Sequence, residues 1–204
     1  MKQIIVDYIP FKVTPQQINE SLKENNGRVI VKGVLQRAES KNQNGRVYPK
    51  PILEREIKKY SSTNIAQRRA LGELDHPDSS VVNLNNVSHN ILEVHWSGDD
   101  VIGTVEVLNT PAGKILKELF EAGITLGISS RGMGSVKNLG ENTVEVQDDF
   151  ELIAWDFVSN PSTQGAFMNP VNESLSLMDM MYTNKYDKVN KIITDIIISQ
   201  NTKF

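Results

Sequence analysis

The chain contains no cysteine among its 204 residues. That excludes disulfides, cysteine nucleophiles and thiolate metal sites, and it fits a reducing compartment. Histidine is scarce: there are three, so each can be weighed singly as a base or a metal ligand. No stretch approaches the roughly 18 consecutive apolar residues of a membrane span. The N-terminus lacks the apolar core of a signal peptide. Charge is nearly balanced, with 22 basic against 25 acidic side chains for a net of −3 and no dense basic tract. This disfavours a generic nucleic-acid surface. What remains, 39% hydrophobic and 23% charged, describes a soluble, intracellular protein large enough to bury a core unaided.

The organisation reads as one main domain with an appendage. Residues 1–28 are mixed in pattern, with a short β-like run at Ile4, Ile5 and Val6 and a helix opening at Thr14-Pro15 and running to Leu22. Val29–Leu35 is a β-branched strand candidate, and the polar loop 40–46 turns at Gly45. Ile52, Leu53, Ile57 and Tyr60 have helical spacing over 51–60. Residues 70–74 form a short strand ended by Asp75-His76-Pro77, because proline cannot donate to a ladder. Residues 87–96 and 101–108 flank Ser97-Gly98-Asp99-Asp100 as a hairpin. Thr110-Pro111 caps a helix whose apolar stripe is Ile115, Leu116, Leu119 and Phe120, stopped at Gly123.

Residues 124–136 alternate as a strand, and 143–158 offer one or two more. Beyond Pro170, Val189, Ile192, Ile193, Ile196 and Ile197 make a helical stripe that would pack on the core or on a second copy, a homo-oligomeric contact. The fold class is α+β, a β-rich core with two or three helices. The domains are an N-terminal segment 1–28, a main domain 29–170 and a helical tail 171–204.

Without cysteine, the reactive groups are hydroxyls, imidazoles, carboxylates and lysines. His76 stands just beyond a strand end, where a side chain reaches into a cleft. His89 and His95 lie six apart in one strand, an even spacing that places both on one face. Gly127-Ile128-Ser129-Ser130-Arg131-Gly132-Met133-Gly134 surrounds two hydroxyls with glycine. Bare backbone there leaves room for substrate and for N–H groups that hold an oxyanion. Asp156 is a charge inside an apolar run, costly to bury unless paired. One histidine, one serine and one aspartate are the parts of a base–nucleophile–orienter triad, which geometry and not chain order defines. A metal hydrolase built on His76, His89, His95 and carboxylates such as Asp75 or Asp99 is a rival, though no compact ligand spacing such as His-Glu-x-x-His is present.

Three segments together carry a resemblance: Gly72-Glu73-Leu74-Asp75-His76-Pro77, Gly127 to Ser135, and Trp155-Asp156-Phe157-Val158-Ser159-Asn160-Pro161-Ser162. With Asn44 to Pro49 and Asp99 to Gly103, in this order and spacing, residues 28–165 resemble the prohead core protein proteases of tailed bacteriophages. The resemblance implies a serine endopeptidase that is distantly similar to the herpesvirus assemblins, with a β-barrel-like, mostly antiparallel core and surrounding helices. It implies action inside the prohead, in the cytoplasm of the infected bacterium, on scaffold, core and major capsid proteins. Cleavage would follow Glu in a Leu/Ile-x-Glu context and would include the enzyme itself. No cofactor, metal, nucleic acid or membrane is implied.

Carried over residue by residue, His76 matches the base, Ser129 the nucleophile and Asp156 the acidic third member. Ser130 stands as the alternative nucleophile. Strand alternation puts Ser130 on the face of Leu126 and Ile128, whereas Ser129 shares the face of Thr125 and Gly127, expected to be open. The N–H groups near Arg131 and Gly132 are the oxyanion candidates, and the Arg131 side chain would receive either a substrate glutamate or a structural carboxylate. Self-cleavage candidates are Glu20 and Glu24, in a segment expected to be peripheral, and Glu173. The non-enzymatic alternative is a capsid-assembly or scaffold component of the same fold, with the tail helix as its working part.

Overall fold

The β-branched and aromatic runs pair as the alternation dictates, and most of the pairing is antiparallel. The computed structural model describes residues 3–11, 15–77, 79–159 and 168–170. All of them belong to one compact unit, Met1–Val171. The tail stripe and Glu173 lie outside the described residues.

The largest sheet grows around the hairpin of β5 (Val87–Ser97) and β6 (Asp100–Val107), turned at Gly98. β2 (Val29–Arg37) pairs with the outer edge of β6, and β4 (Leu71–Glu73) with the outer edge of β5. β11 (Met168–Pro170) adds to β2, giving the order β11-β2-β6-β5-β4. A second sheet has the order β1-β7-β10, where β1 is Gln3–Phe11, β7 is Leu126–Gly134 and β10 is Glu151–Val158. A small third sheet joins β3 (Arg46–Val47), β9 (Thr143–Val146) and β8 (Val136–Gly140). The first two sheets meet where Leu74, just past β4, bridges Phe157 of β10 in parallel. The implied barrel does not close among the described residues: the ladders form three separate sheets, of which the first two are joined by that bridge.

Three helices cover the core. In α1 (Pro15–Glu24), Ile18 is fully buried, and Ser21 exchanges hydrogen bonds with the backbone of Ile30 at 3.0 and 3.1 Å. α2 (Lys50–Tyr60) buries Ile52, Leu53, Ile57 and Tyr60, the expected stripe. α3 (Pro111–Glu121) is capped by Thr110, whose Oγ1 accepts from the Gly113 N–H at 3.0 Å and donates to the Val87 carbonyl. It buries Ala112, Leu116 and Phe120, an i, i+4, i+8 row, so Ile115 of the expected stripe stands exposed. Each such fully buried side chain contributes roughly 1.5–3 kcal/mol.

Several expectations change here. The N-terminal segment is not peripheral: β1 runs along the whole of β7, from Gln3 opposite Gly134 to Phe11 opposite Leu126, and Ile5 is fully buried. The strand expected from Ile124 begins at Leu126, and Ile124 is exposed. A bulge between Ile91 and Glu93 shifts the parity of β5. His89 therefore sits opposite Val107 on the core side and His95 opposite Ile102 on the other, so the two histidines do not share a face.

Candidate active site

The sequence around His76 explains its position. β4 lasts three residues and buries Gly72 and Glu73 against β5 and β10. Gly72 is needed: a Cβ there would collide with the Trp155 carbonyl and the His89 ring. Asp75 then turns the chain through the left-handed region at φ 71°, which aspartate tolerates better than most residues. Its N–H donates to the Phe157 carbonyl at 2.7 Å and its Oδ1 accepts from the His76 N–H at 2.9 Å. Pro77 prevents further pairing. His76 thus leaves the strand end beside β10, its Nδ1 2.9 Å from Asp156 Oδ2. A carboxylate only accepts, so Nδ1 carries a proton, and in the neutral imidazole Nε2 carries the lone pair. Nε2 is buried and has no hydrogen-bond partner among the described residues.

The nucleophile candidates are separated by register. In the β7–β10 ladder Ser129 lies opposite Asp156, Ser130 opposite Trp155 and Ile128 opposite Phe157. Opposite residues of an antiparallel pair point to the same side of the sheet. Ser129, Arg131 and Asp156 therefore share one face. Ser130 shares the other with Ile128, Trp155 and Phe157, the last three being members of the main hydrophobic cluster. Ser130 Oγ is buried there without a hydrogen-bond partner among the described residues. The face of Ser129 was expected to be open, yet Ser129 is 0% exposed. β7 is paired on both edges, and on that face Arg131 bonds Glu73 and the Ser79 carbonyl.

Arg131 is the hub of a buried ion cluster. It is 0% exposed, as are Glu73 and Asp156. Its Nε donates to Asp156 Oδ2 at 2.8 Å, and its Nη2 to Glu73 Oε1 at 2.9 Å and to Asp156 Oδ1 at 3.3 Å. Its Nη1 donates to the Ser79 carbonyl at 2.7 Å. Each nitrogen of the guanidinium thus donates within the protein, to the carboxylates of Glu73 and Asp156 and to the Ser79 carbonyl. Asp156 also accepts from the Glu73 N–H at 2.9 Å. Burial alone would push its carboxyl pKa up, but the His76 hydrogen bond, the Arg131 charge and the Glu73 N–H outweigh it and hold Asp156 below the ordinary carboxylate value. Glu73 is the member of this cluster that sequence reasoning did not single out, and its signal is an acidic residue at the end of a three-residue strand, Leu71-Gly72-Glu73.

Gly132 brings the β7 backbone close to β10, since a Cβ would meet the Phe150 ring and the Glu151 carbonyl. Opposite Arg131 and Gly132, β10 carries a bulge between Leu152 and Ala154. His89 is fully buried, its Nε2 2.9 Å from the Trp155 carbonyl and its Nδ1 2.9 Å from Ser88 Oγ. Burial lowers its pKa to about 4. Among the described residues no group of three histidine, aspartate or glutamate side chains is placed to hold a metal ion. Of the self-cleavage candidates, Glu20 lies within α1, whereas Glu24 is its exposed last residue, followed by a turn through Asn26 (φ 54°) and Gly27 (φ 83°).

This geometry has a counterpart among known proteins. Residues 4–176 match the family described as prohead core protein serine protease. The chain belongs to that family. It is 32% identical over 170 residues to the prohead core protein protease of Enterobacteria phage T4, covering 81% of this chain and 78% of that protein. Its fold resembles the solved structure of the bacteriophage T4 capsid assembly protease, gp21, with a TM-score of 0.67 and 26% identity over 78% of this chain and 99% of that one. The family match begins at residue 4, so the N-terminal strand and helix of this prohead protease relative belong to the family domain. The recognisable motifs within 28–165 did not reach that far.

Proposed function

We propose that this chain is a serine endopeptidase of prohead maturation, with Ser129 as nucleophile, His76 as base and Asp156 as orienter. The observation that carries the reading is the His76–Asp156 pair at 2.9 Å, with Asp156 in register with Ser129 and His76 Nε2 left without a partner. In the reaction Ser129 Oγ attacks the scissile carbonyl as Nε2 takes its proton, and the imidazolium is held by Asp156. As the tetrahedral adduct collapses, that proton passes to the leaving amine. A water, activated by the same nitrogen, then releases the acyl group from Ser129.

The oxyanion donors lie among the N–H groups near Arg131 and Gly132, on the edge where the bulge interrupts the β10 ladder, a donor there being worth about 2.7–4 kcal/mol in the transition state. The substrates are scaffold, core and major capsid proteins, cut after Glu in a Leu/Ile-x-Glu context inside the prohead, in the cytoplasm of the infected bacterium. The enzyme also cuts itself. The exposed helix end at Glu24 favours that bond over the one at Glu20, which lies within the helix. Glu173 is the third candidate.

The test is cleavage of a peptide containing Ile-x-Glu by the full chain and by its Ser129→Ala, Ser130→Ala and His76→Ala variants, with product masses recorded. Ser129→Ala and His76→Ala should lose at least ~10⁴-fold, and Ser130→Ala should stay within a few fold of wild type. Loss in Ser130→Ala alone would reassign the nucleophile. No cleavage by the wild type, before or after a cut at Glu24, would favour the capsid-assembly component. The intact mass of incubated wild type should fall by the N-terminal 24 residues, and the mass of Ser129→Ala should not change.

A further inference from the structure

We propose that Glu73 and Arg131 are positioning residues that set the charge of the buried cluster facing His76, and so the pH range in which His76 serves as base. This rests on the serine-protease reading. The groups that face the imidazole come from three strands. They are Asp156 of β10 in direct contact, Arg131 of β7 bonded to the same Asp156 oxygen, and Glu73 of β4 bonded to Arg131. Asp75 is adjacent but exposed, and its carboxylate is turned to the His76 N–H. His89 and Tyr60 lie within electrostatic reach of Asp156.

Two carboxylates against one guanidinium leave this buried set at −1 while the imidazole is neutral, and at zero once His76 has taken the serine proton. The cluster is therefore uncompensated in the resting state and balanced at the moment an imidazolium forms. Its wiring does not suit stability. Glu73 binds Arg131 through Oε1, which also accepts from the Asn83 N–H at 3.0 Å, while Oε2 is buried with no hydrogen-bond partner among the described residues. A buried carboxylate retained for the fold alone is expected to have both oxygens satisfied, and apolar residues often replace such clusters at no loss. One acidic residue fewer would leave Arg131 and Asp156 balanced before reaction and the buried set at a net +1 once the imidazolium forms, with Asp156 as its contacting anion.

The experiment is the pH dependence of kcat/KM for the full chain and for Glu73→Gln, Arg131→Met and the double variant. Glu73→Gln keeps an acceptor for Arg131 and removes a negative charge, so the acidic limb should move down by about one pH unit, with kcat about tenfold lower and KM little changed. Arg131→Met removes the positive charge and should move the limb up. The double variant restores the net charge and should bring the limb back towards wild type. NMR titration of the His76 ring in the Ser129→Ala background should show the same displacements without catalysis, so a wild type that cleaves nothing would sink the protease reading and leave this one measurable. If Arg131→Met alone does not fold, the Glu73→Gln shift and its reversal in the double variant decide. Limbs and titration midpoints that stay fixed, or that move in one direction in all variants, would overturn the proposal.

Discussion

Two serines stand side by side in β7, both buried, and their surroundings have little in common. On one face Ser129 shares its side of the sheet with Asp156 and Arg131, and His76 and Glu73 close over them. On the other Ser130 has Trp155 across the strand pair and an unsatisfied hydroxyl among hydrocarbon. Burial by itself is therefore no guide to chemistry. What distinguishes the two hydroxyls is whether the low-dielectric environment around them contains oriented charge, because such charge acts on a reacting group far more strongly there than in water.

The largest effect that would test this contrast is on the polar face. Asp156→Asn should cut kcat by ~10³–10⁴-fold, since an amide can offer Nδ1 a donor and select the wrong tautomer. Measured at pH 7 to 9 with the melting temperature alongside, a loss of less than tenfold would detach Asp156 from the mechanism.

Acidification should reach the two faces in different windows. His89 belongs with the core face, and its folded value of about 4 lies below its ordinary 6.5. The unfolded chain then binds the proton first, so stability falls as pH drops from 6.5 to about 4, by about 1.4 kcal/mol per unit. Asp156 is displaced below the ordinary carboxylate value. Its contribution is intact above that value and disappears only as pH falls through the lower, folded one. Urea midpoints of Ser129→Ala between pH 7 and 3 should show the first slope, and His89→Gln, which keeps a donor for the Trp155 carbonyl, should flatten it. An unchanged slope in His89→Gln would mean that other groups carry it.

Where the two sheets meet, Gly72→Ala should cost about 1–3 kcal/mol through its collision with the Trp155 carbonyl and the His89 ring. It should also slow cleavage, because Glu73 and His76 follow directly. A stability within 0.5 kcal/mol of wild type would mean that β4 shifts freely. The smallest effect belongs to the core face. Ser130→Ala removes a buried hydroxyl with no partner among the described residues at little change of volume and should be neutral or slightly stabilising, with cleavage retained. Clear destabilisation in urea would show that the hydroxyl is satisfied after all.

The elements carrying local signals were legible in the sequence. Thr110-Pro111 announces α3 by its cap and its proline, and the turn at Gly98 announces the hairpin. Asp75-His76-Pro77 marks a strand end because proline forbids more. Alternation alone puts Ser130 on the face of Ile128, as the ladder has it, but the face it leaves open for Ser129 is buried. The rest depended on partners distant in sequence. β7 is buried because β1, more than 100 residues earlier, covers its edge, and nothing near residue 129 encodes that. The bulge in β5 separated His89 from His95 without a glycine to signal it. Arg131 was left between substrate and structural carboxylate because its partners, Glu73 and Asp156, come from two other strands.

The β1-β7-β10 order also has a consequence for biosynthesis. The strand bearing Ser129 is flanked by the first and one of the last strands of the domain, with Tyr8 on one side and Asp156 on the other. Such long-range pairing is slow to form and cannot precede synthesis of its parts. A nascent chain holds His76 and Ser129 well before Asp156 exists, and during that interval it lacks both the orienting carboxylate and the second partner of Arg131. On the proposed mechanism the nascent chain lacks its orienter until β10 has emerged, so its own unfinished chain would be spared.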